Sequence, residues 1–415
     1  MSPKSRGRPK GRGRTPAKRA AKVRELSPFD RTLAEARRVA PNLTPLRAQL
    51  VGSEWLGGPW AARGMGDRDA EADFVRDVVA ATSATAPASR APAAWTVLHA
   101  LATIPDAAWR DVVAEALATC PPDLHPWWAL PLDREPEQPT AAERWSDPWG
   151  DQRVAVLHYV EPEPHQLVAV ESRAGGRFVH ELIAVAADES LDLLIEDLER
   201  EDVPMADILA DVALAMEQTD HYWPPQTAPE YAEHRALFRW RTLGHLREFE
   251  WEPIPDHDRQ RLIAEFSKWQ DTELDPQAVE MLADTFIDFG DGYLAGGVLA
   301  WSPDEVDRFL LDWAQRKVML EPEVSAALPQ VLEAWVTFAL RRAGLDEDDV
   351  DAVADRVREL ADEYHRLQED DDAGGPAKQI LSRLLEAGVD MSDRAAVDRA
   401  IGEYNAEMLA KRMLE

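Results

Sequence analysis

Two histidines in strand-patterned runs come nearest to a reactive constellation. The runs RVAVLHYV, HQLVAVES and RFVHELIAVA are rich in β-branched residues and are divided by EPEP and AGG. Such runs between turn-forming breaks read as a three-stranded antiparallel meander. Tight turns would put His158 and His180 on one face of its outer strands, with Val156, Val168 and Val170 around them. Two imidazoles across a sheet could begin a metal site or an acid–base pair. Spacing supplies no third ligand. Glu171 and Glu181 fall on the opposite face in that register, and a one-residue slip would reverse this. Ordinary partly buried histidines fit the same pattern.

Other reactive spellings fail for lack of companions. DFGDG (Asp288–Gly292) spells a kinase magnesium triplet, but no glycine-rich phosphate loop, catalytic His-Arg-Asp or strand lysine accompanies it. It reads instead as a helix end with left-handed glycines. DEDDVD (Asp346–Asp351) has no glycine at the sixth position and puts Val350 in a ligand place, so it is no calcium loop. Acidic residues at a helix N-terminus are the simpler reading. No phosphate-binding Gly-Lys-Ser/Thr loop and no Gly-x-Ser-x-Gly elbow occur. The single cysteine, Cys120, excludes an intramolecular disulfide and any multi-cysteine zinc site. No catalytic residue, cofactor or metal is expected from these motifs. A non-enzymatic role leads, with an enzyme of unrecognised class left open.

Charge is the stronger signal. Residues 1–24 carry ten Lys or Arg and no acid. The remaining 36 basic and 77 acidic residues leave the rest of the chain at −41, within a net charge of −31. Such a body repels nucleic acid at long range, and only the tail could approach it favourably. Residues 1–25 lack apolar periodicity and are rich in Gly, Pro, Arg and Lys, so they are expected to be disordered when free. The stretch RGRPKGRGR resembles the AT-hook of the high-mobility-group A proteins, with Arg6-Gly7-Arg8-Pro9 as its core, followed by Lys10 and Gly11. The resemblance implies that Arg6 and Arg8 insert into the narrow minor groove of A·T tracts, where negative potential is concentrated. Gly7 has no Cβ to hold the backbone off the groove floor, and Pro9 restricts the exit. Lys10, Arg12 and Arg14 would add phosphate contacts, which bring affinity without sequence information. RNA is the lesser alternative partner. A purely solvated arm is another, in which case the body would be a protein-interaction scaffold or adaptor.

The elements that would carry these residues are mostly helical. Ser27, Pro28 and Asp30 signal a helix start, and Ser302, Pro303 and Glu305 repeat it. The fold class is mainly α, with a central α+β element. The expected organisation is a basic tail (1–25), a helical domain (26–130), a linker (131–145) and an α+β domain holding the meander (146–250). A helical bundle (256–368), a linker (369–378) and a C-terminal helical pair within 379–415 follow. Helical patterns are read at 191–200, 205–216 and 229–246. Val350, Val353, Val357, Leu360, Tyr364 and Leu367 form a seam too short for a dimeric coiled coil, so a bundle helix is expected. The longest apolar stretch, Leu328–Leu340, contains Glu333 and is too short to span a bilayer. No membrane association is expected.

Of the 15 tryptophans, eight cluster in the N-terminal third: Trp55, Trp60, Trp95, Trp109, Trp127, Trp128, Trp145 and Trp149. In an acidic body they read as core or protein-interface anchors, not as base-stacking platforms. Leu299–Val318 and Leu384–Ala406 resemble segments of uncharacterised actinobacterial families with a helical C-terminal region. That resemblance implies a bacterial cytoplasmic setting, nucleoid-associated if the tail binds DNA, and assigns no functional residue.

Overall fold

The computed structural model describes residues 27–67, 69–83, 89–173, 176–248, 252–270 and 274–369, with the single residues 399 and 402. The tail, most of the second linker and all of the C-terminal helical pair but residues 399 and 402 lie outside the described residues. Ser27 caps the first helix, α1 (Pro28–Val39), its hydroxyl accepting the Asp30 N–H at 3.1 Å. Thr44 does the same for α2 (Pro45–Ala62), accepting from Arg47 at 3.2 Å. Three more helices follow, α3 (Ala70–Thr82), α4 (Ala91–Leu101) and α5 (Arg110–Leu117).

The expected meander is present as β2 (Gln152–Tyr159), β3 (His165–Ser172) and β4 (Phe178–Ala186). It forms part of a five-stranded antiparallel sheet of order β4-β3-β2-β1-β5. Here β1 is Ala141–Ser146 and β5 is Glu199–Glu201. Two sequence expectations are corrected by these strands. The linker 131–145 contains most of β1, and the helical pattern at 191–200 gives only the single turn α6 (Asp192–Ile195) before β5. β5 is wholly polar, and β1 mixes Ala and Trp with buried Arg144 and Ser146, so the apolar alternation that marks a strand is missing. The most buried β1 side chains are Arg144 and Ser146, not aliphatics.

One sheet face packs on α7 (Met205–His221) and α8 (Pro229–Thr242). Their apolar cluster runs without a break from Leu33 in α1 through Leu157 and Leu167 in the sheet to Phe238 in α8. The helices before residue 130 and the sheet after 146 therefore share a core, where the sequence reading separated them. The α2–α8 contact is close enough to require glycine. A Cβ at Gly57 would stand 2.3 Å from the Ala232 carbonyl oxygen. The other sheet face holds a smaller cluster of Val154, Val156 and Val168 under Trp145, Leu194 and Ile195.

The second core is helical, built from α9 (Asp256–Trp269), α10 (Pro276–Tyr293), α11 (Pro303–Arg308), α12 (Ala314–Lys317), α13 (Pro322–Ala343) and α14 (Glu347–Glu369). Ser302 caps α11 as expected, accepting the Glu305 N–H at 3.1 Å. A π-helical turn, Phe309–Trp313, joins α11 to α12. The seam from Val350 to Tyr364 is buried within this bundle, against α13 and α11. DEDDVD opens α14, with Glu347, Asp348 and Asp349 in its first turn. The DFGDG glycines lie inside α10, and positive φ falls instead at Gly297. Gly290 is needed for contact: a Cβ there would come 2.7 Å from the Val298 Cα. No described helix is long and apolar enough to cross a membrane.

Among the described residues, three side chains join the sheet to the bundle. Arg173 donates to the Ala295 carbonyl at 2.9 Å, and the Trp149 indole donates to the Asp349 carbonyl at 3.3 Å. The Ser302 hydroxyl donates to Asp151 while capping α11. Burial raises the Asp151 carboxyl to about 6, against the lowering effect of that hydrogen bond.

Candidate functional site

The tail residues Arg6, Gly7, Arg8, Pro9, Lys10, Arg12 and Arg14 lie outside the described residues, and the described chain begins at the α1 cap. The histidine pair is placed and is not brought together. His158 sits opposite Gln166, which sits opposite Val185, so those three share a face. Val156, Val168 and Val170 do line that face, as expected. His180 falls in a bulge, as the residue between Val179 and Glu181 that has no partner on β3. It is exposed and lies five residues along β4 from the level of His158. The bulge is the one-residue slip that reverses the register: Glu181, not His180, lies on the His158 face.

What the sheet gathers instead is buried charge. Arg144 donates to Glu201 at 2.7 Å and to Asp211 at 2.7 Å, and Arg177 reaches Asp211 at 3.2 Å. Arg153 lies opposite Glu171 on the neighbouring strand. Burial raises the Glu171 carboxyl to about 7, although Arg153, Arg173 and Arg144 pull the other way and Asp211 adds to the rise. A second network surrounds Arg241, which is wholly buried. It contacts His165 Nε2 at 2.6 Å, donates to Gln49 at 2.7 Å and lies 4.2 Å over the Tyr159 ring. Burial, with Arg241 beside it, lowers His165 to about 4, so this imidazole is neutral. Arg241 and His165 are buried and act as an internal strut.

An open cleft of about 860 Å³ reaches Arg177. Two cavities of about 430 and 610 Å³ share Glu71, Asp106, Trp109, Arg235 and Arg239 in their walls. Arg235 fixes the shared wall. It binds both Asp220 oxygens, at 2.7–2.9 Å, and both Glu71 oxygens, at 3.0 and 3.1 Å. Tyr231 donates to the same Asp220 at 3.0 Å, and Arg63 lies 4.4 Å over Trp60. Burial pushes Glu71 up while Arg235 pulls it down. Among the described residues, the cavity of about 430 Å³ is lined by no Ser, Thr, Cys, Tyr or Lys. Four of its carboxylates, Glu71, Asp106, Glu217 and Asp220, are paired with arginines.

A different convergence brings together His99, Cys120 and His125. His99 is on α4, Cys120 ends the turn after α5, and His125 follows a short 3₁₀ turn, Pro122–Leu124. His99 Nε2 is 3.6 Å from Cys120 Sγ, and the His99 and His125 ring centroids are 5.0 Å apart. Trp128 stands edge-on to His99 at 6.3 Å. His99 and Cys120 are buried and His125 is exposed. Burial, with His125 adjacent, lowers His99 to about 4, and burial followed by Asp123 raises the Cys120 thiol. The sequence reading passed over this trio because α4 and the Cys120 turn meet only through tertiary packing. The available signal was the lone cysteine with a histidine five positions on, His125, and another on a preceding apolar helix.

No protein-family model, no curated protein and no solved structure matches this chain.

Proposed function

We propose that this protein associates with nucleic acid through its basic N-terminal segment, with Arg6 and Arg8 entering the minor groove of A·T-rich DNA. The observation that carries the reading is the partition of charge. Many arginines of the body are held by carboxylates, from the buried pairs of Arg144 and Arg235 to the surface pairs of Arg259 and Arg356. Ten cations with no acid are concentrated in residues 1–24. A strongly acidic body repels a duplex at long range, which leaves the tail as the favourable contact. In this reading the tail is the DNA contact, the body engages protein partners, and the protein acts at the nucleoid without catalysing a reaction.

The test is a duplex titration across salt with the full chain and a variant lacking residues 1–24. The full chain is expected to prefer A·T-rich over G·C-rich duplex and to weaken steeply as salt rises. The truncated chain is expected to lose binding. Equal binding by both chains would overturn the proposal.

A further inference from the structure

The geometry points to a transition-metal site of the zinc class formed by His99, Cys120 and His125. The donor atoms of all three lie within 4.8 Å of one another. Zinc bonds of about 2.0–2.1 Å to nitrogen and 2.3 Å to sulfur at the tetrahedral angle place those two donors about 3.6 Å apart. His99 Nε2 and Cys120 Sγ already stand 3.6 Å apart. One edge of the coordination tetrahedron is therefore built into the buried part of the trio. An S–H···N hydrogen bond would account for that pair alone. It does not account for His125, whose imidazole is brought against the same two groups from beyond the Pro121-Pro122 turn.

The donor set selects the metal. One thiolate and two imidazoles suit zinc and other borderline-soft ions, whereas magnesium and calcium require oxygen ligands. The frame is suited to holding them. His99 is fixed on a buried helix face beside Trp128, and Cys120 is held by the Leu117 carbonyl, which accepts its N–H at 3.0 Å. His125 is exposed, so closing the site moves only a surface side chain. The exposed edge leaves the fourth position to water, as in open three-ligand zinc sites. The site lies in the body, and its existence does not depend on the tail binding DNA.

The test is a cobalt(II) titration of the full-length protein, followed by displacement with zinc(II). Because Cys120 is the only cysteine, a thiolate-to-cobalt charge-transfer band reports this site alone. One equivalent of cobalt is expected to produce that band with the visible bands of a four-coordinate ion, and zinc is expected to remove both. Cys120→Ser is expected to abolish the charge-transfer band. His125→Ala, at an exposed position, is expected to keep the circular dichroism of the parent and to weaken cobalt binding by roughly tenfold or more. The chain lacking residues 1–24 is expected to bind cobalt as the parent does. Absence of the band in the parent, or equal affinity in a folded His125→Ala variant, would overturn the inference.

Discussion

The sheet-containing region, residues 27–248, and the helical region, residues 252–369, solve the same burial problem with different materials. The first encloses Arg144, His165, Glu171, Arg173, Arg235 and Arg241 in its interior. The second encloses an aromatic stack in which Phe286, Phe289, Trp301, Phe309 and Trp335 pack edge-on or tilted at 5.1–6.4 Å. Its buried polar residues are few, Ser302, Glu305 and Gln315. Aromatic packing adds area burial and a modest edge-to-face attraction. Buried ions add directional constraint, and they cost desolvation that only good partners offset. The region with the constraint also holds the clefts around Arg235 and the His99–Cys120–His125 trio. The region with the aromatic core carries helices and little chemistry.

The largest expected effect is at Arg235, where the comparison is easiest to break. Its guanidinium serves two largely buried carboxylates, and its side chain is only 9% exposed. Arg235→Ala leaves Glu71 without its cation and Asp220 with only Arg239, at 3.7 Å. That is expected to cost about 3–5 kcal/mol of stability, the usual price of orphaning a buried charge. Denaturant unfolding measures it as a lowered midpoint with an unchanged slope. A loss below about 1 kcal/mol would mean that the buried ions of this region are incidental to its stability.

Glu171 tests which force wins inside the sheet. Its carboxyl is raised from 4.5 to about 7 because burial outweighs the neighbouring arginines. The native state therefore holds a proton that the unfolded chain has released between those values. Stability is favoured below the unfolded pKa and lost as pH rises through about 7. A shift from 4.5 to about 7 corresponds to roughly 3 kcal/mol across that window. Glu171→Gln keeps the neutral shape and removes the titration. Relative to the parent, it is expected to gain stability between pH 4.5 and 8. Asp151, also raised, contributes a slope of the same sign in both proteins. His99 and His165, both lowered, contribute the opposite sign in both, so the comparison of variant and parent isolates Glu171. A difference that runs the other way would mean that Arg153 and Arg173 hold an ionised carboxylate.

Where local rules decide, the sequence was readable. Ser27 and Ser302 cap the helices they were expected to cap, because a hydroxyl three residues before an amide is a local geometry. The meander was legible because alternation and turn residues are contiguous. The limits were tertiary. β1 buries Arg144 and Ser146, and its strand character comes from pairing with β2 and β5, not from its own pattern. The bulge at Val170 and Glu171 moved His180 off the face assigned to it, and no spacing rule announces a bulge. His99 and Cys120 meet because α4 packs beside the turn after α5, a contact invisible along the chain. The tail could be read only as charge and motif, and its residues lie outside the described structure.

The smallest expected effect sharpens the comparison from the other side. Arg356 on α14 grips Asp307 with two bonds of 2.5 and 2.6 Å and reaches Glu359 at 3.0 Å. By geometry it matches Arg235, since both are bidentate to a carboxylate. It differs in solvent, because its side chain is 34% exposed and that of Asp307 is 35% exposed. Water screens the pair, and the side chains give up freedom to hold it, so Arg356→Ala is expected to cost less than about 1 kcal/mol. Moderate salt should shrink that further, because a pair this open is screened. If Arg356→Ala cost as much as Arg235→Ala, burial would not be what separates the two regions. The helical bundle would then depend on its surface ions as the sheet depends on its buried ones.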